Sequence, residues 1–241
     1  LRSLVGSEMC IRDRIEDYTR IGSLLQPEQI VKYGELTLRE NQIAYAEPSF
    51  FRLFDFELLK GDKKTCLSMP GQVVITERIA SKYFKDEDPI GKIFIFTGAY
   101  DKISCEVTGV MKEMPSNSHI HYSFLISYKS LPKYMQEYWY KHEAYTYVLL
   151  DSPERKAEIE REFPVMAEKY KTDEALKNKT WGVSLIPLAD IHLTPQVGYE
   201  AETKGNRSSM IALIFAAIAI LAIAWINYIC LLYTSPSPRD S

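Results

Sequence analysis

No charged residue occurs between Ser208 and Ile229. Met210–Ile229 is 20 residues long, and coiled as an α-helix it reaches about 30 Å, the thickness of the hydrocarbon layer of a bilayer. Between Ile211 and Ile226 nine residues are Ile, Leu or Phe. Their transfer free energy sums to something on the order of −4 kcal/mol in favour of insertion, with no charge to oppose it. Trp225 and Tyr228 sit where an interfacial aromatic belt belongs. Ala212, Ala216 and Ala219 recur at helical spacing and give one face on which a second helix packs closely. The other reading is a buried helix of a soluble protein, against which the length and the absence of any interruption argue. The expectation is a transmembrane helix over 210–229.

The two ends of the chain share an unusual relation. Residues 230–240 can be back-translated to a nucleotide string that, over nearly its whole length, is the reverse complement of one encoding residues 4–13 in another frame. That string resembles the transposase adapter used to build sequencing libraries. Residues 1–14 and 230–241 are therefore expected to be translated adapter rather than native protein, leaving 15–208 ahead of the helix. On this reading Cys10 and Cys230 do not count, and the native thiols are Cys66 and Cys105. A disulfide between them is compatible with an extracytoplasmic domain, and two separate buried thiols are at least as well supported.

Residues 15–208 suffice for one large domain or two small ones. Sixteen Tyr and a 46% share of hydrophobic residues argue for a folded core rather than disorder. A net charge of −3 gives no electrostatic reason to expect nucleic acid as a partner.

The pattern upstream of the apolar run mixes strands and helices. Val73-Val74-Ile75 reads as a buried strand. Thr76 is predicted to cap a helix reaching Lys85, with Glu77 favourable in its first turn and Ile79, Ala80 and Tyr83 or Phe84 facing the core. Asp88-Pro89-Ile90-Gly91 is a turn. Strands are predicted over 92–96, 104–111, 145–150 and 181–187. Ser152-Pro153-Glu154 starts a helix with Phe163, Met166, Ala167 and Tyr170 on one face, which Pro164 should kink or split. Thr172-Asp173-Glu174 opens another short helix. Without a regular βαβ rhythm the fold class is α+β: an α+β extracytoplasmic domain followed by one transmembrane α-helix.

Catalytic chemistry is hard to find. His119 and His121 would share one face of a strand, yet no nearby Cys, Asp or Glu completes a tetrahedral metal site. His142 and His192 stand alone and read as structural. Asp55, Asp62, Asp86, Glu87 and Asp88 lie near turns, and no two of them make an acid–base pair. The chain has neither a G-x-S-x-G elbow nor a G-x-x-x-x-G-K-[ST] phosphate loop. No catalytic, cofactor-binding or metal-binding residue is assigned, and the chain is expected not to be an enzyme. Phe50, Phe51, Phe54 and Phe56 form an aromatic cluster that would bind a partner if exposed, and the favoured reading places it in the core.

Five segments, taken together and in order, resemble the MacB-like periplasmic core domain of ABC transporter permeases in the FtsX-like family. They are Ala46–Asp62 (AEPSFFRLFDFELLKGD), Val73–Phe84 with Asp86–Lys92, Val107–Met111 with Pro115–His119 and Phe124–Ser127, Pro187–Leu193, and Ala224–Ile229. The resemblance spans about residues 15–229 and implies a lost first membrane helix, with 210–229 as the second. It implies a permease dimer, contact with membrane lipid, and a cytoplasmic ATP-binding subunit or domain on a separate chain that drives export or mechanical work. It places residues 15–208 in the periplasm and the helix in the inner membrane. Lys204 and Arg207 would then lie outside, against the usual preference of positive residues for the cytoplasm. The alternative from another class is the extracytoplasmic sensor domain of a membrane receptor.

Overall fold

The computed structural model describes residues 15–22, 28–98, 102–136, 144–170, 180, 182–191 and 207–234. His142, His192, Lys204, the Thr172–Glu174 segment and residues 1–14 lie outside them. The chain forms two compact units, one up to Leu185 and one from Ile186 onward.

The first unit contains ten strands: β1 (Ile15–Gly22), β2 (Glu28–Tyr33), β3 (Leu36–Asn41), β4 (Ile43–Ala46), β5 (Leu58–Lys60), β6 (Gln72–Thr76), β7 (Ile93–Thr97), β8 (Lys102–Met111), β9 (Phe124–Ser127) and β10 (Tyr145–Leu150). Its helices are α1 (Phe50–Leu53), α2 (Glu77–Phe84), α3 (Lys133–Gln136) and α4 (Arg155–Tyr170). The strands form one mixed sheet in the order β10-β1-β4-β9-β6-β8-β7-β2-β3. Two pairings are parallel, β4 with β9 and β6 with β8, and the others are antiparallel. Along one edge β8 pairs with β7 through residues 102–106 and then with β5 through Val110 and Met111.

The two faces of this sheet are buried at different places. On one face α2 lays Ile79, Tyr83 and Phe84 over Val73, Ile75, Phe94, Phe96, Cys105, Val107 and Phe124. On the other, Phe50 and Phe51 of α1, with Cys66, Leu67, Met114 and Ile120, cover Ile21, Ala44, Val74, Met111 and Leu125. The period-2 alternation of a strand produces this division. Val73 and Ile75 go to the first core, and Val74 between them goes to the second. The central strands β6 and β9 are thus apolar on both faces and read as continuous runs, Val-Val-Ile and Phe-Leu-Ile.

Cys66 and Cys105 belong to different cores, and both are free thiols. The aromatic cluster is core, as expected: Phe50 and Phe51 are buried and Phe54 and Phe56 pack against them, with Phe50 stacked on Phe56 at 5.6 Å between centroids.

Other expectations need correction. Thr76 stands at the N-cap of α2 but makes no side-chain cap hydrogen bond. It is also the last residue of β6, fully buried, and its Oγ1 has no hydrogen-bond partner. Pro164 does not split α4, which runs unbroken from Arg155 to Tyr170. A proline in mid-helix forfeits a backbone bond, and Ile159 and Ala167, both buried, anchor the helix on either side of it. Residues 182–187 form no strand. There Leu185 donates its amide to Glu160 Oε1 at 2.7 Å instead of joining a ladder.

The second unit contains a short 3-10 turn at Leu188–Asp190 and helix α5 (Arg207–Thr234), 28 residues long. Its apolar stretch Met210–Thr234 is long enough to cross a membrane. The helix passes the expected end at residue 229 because Cys230-Leu231-Leu232-Tyr233 carries no helix breaker. Thr234 Oγ1 donates to the Cys230 carbonyl at 2.7 Å.

Candidate functional surfaces

The residues singled out for chemistry are distributed over the domain rather than gathered. His119 and His121 are not strand neighbours; both precede β9 in a connection without regular structure. His119 Nε2 lies 3.0 Å from the Tyr147 hydroxyl, with its ring 6.0 Å from that of Phe54. His121 Nε2 lies 3.0 Å from the Pro115 carbonyl, which as an acceptor calls for a ring N–H there. Among the described residues no three His, Cys, Asp or Glu side chains are placed to hold a metal.

The acids near turns do structural work. Asp62 accepts from the Lys64 amide at 3.0 Å and the Thr65 hydroxyl at 3.2 Å, shaping the turn after β5. Asp88 accepts from Lys60 Nζ at 2.9 Å, Asp55 from Lys63 at 3.2 Å and Glu87 from Lys92 at 3.0 Å. Hydrogen bonding to the Lys60 ammonium holds the Asp88 carboxyl below the usual carboxylate range.

Three side-chain junctions tie elements together, and sequence reasoning found none of them. Arg20 on β1 donates Nε and Nη2 to Glu47 Oε1 at 2.9 and 2.5 Å, and Nη1 to the Gln136 carbonyl at 2.7 Å. Its guanidinium also lies 4.3 Å from the centroid of the Tyr128 ring. One side chain thus joins β1, the β4–α1 turn, the segment after β9 and α3. Arg52 of α1 grips Asp17 of β1 through both Nε (2.7 Å) and Nη2 (3.0 Å). That bond lowers the Asp17 pKa. Glu40 of β3, almost fully buried, accepts from Lys82 Nζ at 2.6 Å and from the Tyr83 hydroxyl at 2.8 Å. Each partner is more than 25 positions away, so no local motif announces it.

A cleft of about 190 Å³ opens beside α2, lined by Gln42, Arg78, Glu113, Met114, His121 and Tyr122. Gln42 has a positive φ of 58°, uncommon for a residue with a side chain. Its Oε1 accepts from Ser123 Oγ at 2.9 Å, and Ser123 Oγ in turn accepts from Arg78 Nη2 at 2.8 Å. Arg78 Nε and Glu113 Oε1 are 3.6 Å apart at the rim.

The sequence matches the model of the MacB-like periplasmic core domain over residues 10–164. The match begins inside the stretch 1–14 and stops short of the 187–193 and 224–229 segments, so the family likeness rests on the sheet domain. A domain of a permease protein from Porphyromonas gingivalis superposes with a TM-score of 0.55 at 22% identity, covering 70% of this chain and 77% of that one. At that identity it shows a shared fold. The periplasmic region of MacB from Actinobacillus actinomycetemcomitans gives 0.48 at 14% identity over 68% of this chain and 72% of its own. The extracellular domain of the noncanonic ABC-type transporter YknZ from Gram-positive bacteria gives 0.48 at 16% over 70% and 84%. No curated protein matches the chain.

Proposed function

The chain belongs to the family of MacB-like periplasmic core domains, matched over residues 10–164, and on that premise we propose that it is part of an ABC transporter permease whose periplasmic domain moves with its membrane helices. In this reading residues 15–208 face the periplasm, helix 210–229 crosses the inner membrane, and the flanks 1–14 and 230–241 contribute nothing. ATP is bound and hydrolysed by a cytoplasmic subunit on another chain, the permease works as a dimer, and the cycle ends in export or in mechanical work. The domain is a coupler and not an enzyme.

The family match carries the reading, and two features support it. The second unit contains a helix apolar enough to span a bilayer. The junctions at Arg20, Arg52 and Glu40 bind distant segments into one body, which suits a part that must transmit displacement without dissipating it. Purification of the chain from the membranes of its source tests it. An ATP-binding subunit should co-purify, and the 15–208 segment alone should show no ATP binding by calorimetry. Saturable micromolar binding to that segment, or a chain that always purifies without an ATPase, would overturn the reading.

A further inference from the structure

We draw no further inference here: the strongest candidate, the cleft beside α2 between Gln42, Arg78 and Tyr122, belongs to the surfaces already described, and its two charged groups, Arg78 and Glu113, lie within ion-pairing distance of each other, so that nothing in the structure marks a ligand for it.

Discussion

Tyr83 on α2 donates its hydroxyl to Glu40 on the edge strand β3, at 2.8 Å, across 43 residues of sequence. The same carboxylate oxygen takes Lys82 Nζ at 2.6 Å. A buried carboxylate is costly unless its lone pairs are used, and here a neutral donor and a cation both use them. Replacing Glu40 with Leu should leave the Tyr83 hydroxyl buried without an acceptor and lower unfolding stability by about 1–3 kcal/mol. Tyr83→Phe removes the donor alone and should cost less, about 1 kcal/mol. Urea titration of both variants and of the double variant measures the coupling. Additive losses would mean that the bond contributes nothing.

Burial, together with Glu40, raises the Tyr83 pKa. The folded state therefore keeps the phenolic proton to higher pH than the unfolded chain, whose tyrosines ionise near their ordinary value of about 10. The stability so contributed is complete below about pH 10 and falls as the pH rises above it. Tyr83→Phe should flatten that alkaline loss, and midpoints recorded between pH 8 and 11.5 will show whether it does.

Gly61 separates two kinds of glycine requirement. Its φ is +97°, and a Cβ there would stand 2.4 Å from the Thr108 carbonyl oxygen on β8. Gly34 also has a positive φ, +56°, with nothing within 4 Å of such an atom. Gly34→Ala should cost about 1 kcal/mol, the backbone term alone. Gly61→Ala should cost at least about twice that, because strand β5 must shift from β8 as well. Equal losses in chemical denaturation would refute the steric argument.

The two buried thiols should be silent in the native protein. Burial raises the Cys66 pKa to about 11 and that of Cys105 to about 12, so little thiolate exists at neutral pH. In a chain with Cys10 and Cys230 replaced by serine, a thiol reagent at pH 8 should label neither residue until denaturant is added, and then both. Because the two lie in cores on opposite sheet faces, oxidation should yield no intramolecular disulfide without unfolding. A diamide-induced mobility shift in the native protein would contradict this.

For α5, Ile218→Arg places a charge near the middle of the apolar stretch. On the insertion scale this costs roughly 2.5–3.5 kcal/mol, most of the estimated gain. A glycosylation-mapping assay should show the wild-type segment inserted and the variant only marginally so. Complete insertion of both would mean that another segment drives the helix into the membrane.

What could be read from the residues follows the range of the physics involved. Val73–Ile75, α2 and the Asp88–Gly91 turn are local patterns, and the structure places them where periodicity did. β10 falls on 145–150 to the residue. The first four strands went unread, because Ile15–Gly22, next to the edge strand β10, and Leu36–Asn41, at the other edge, mix charged and apolar residues. Such sequences become strands through their partners, as Ile15 does opposite Leu150. Thr76 misled for a related reason: its side chain suits a cap, but sheet burial claimed it first. The junctions at Arg20, Arg52 and Glu40 carry no local signature, since all three depend on where remote segments come to rest.

The sheet order also sets a timetable. β1 leads the sheet, yet its long partner is β10, six register pairs that include Ile15 with Leu150. With β4 it shares only two, Ile21 with Ala46 and Gly22 with Tyr45. A chain grows by roughly 5–20 residues per second, so β1 waits on the order of ten seconds for the strand that completes it. Before that strand emerges its only ladder partner is β4, through two pairs, with the Arg20–Glu47 and Arg52–Asp17 ion pairs beside them. The half built from β6, β7, β8 and β9 closes within a shorter span of sequence and stands ready as the template. Docking of β10 onto β1 closes the longest loop in the sheet and is expected to be the last event of its assembly.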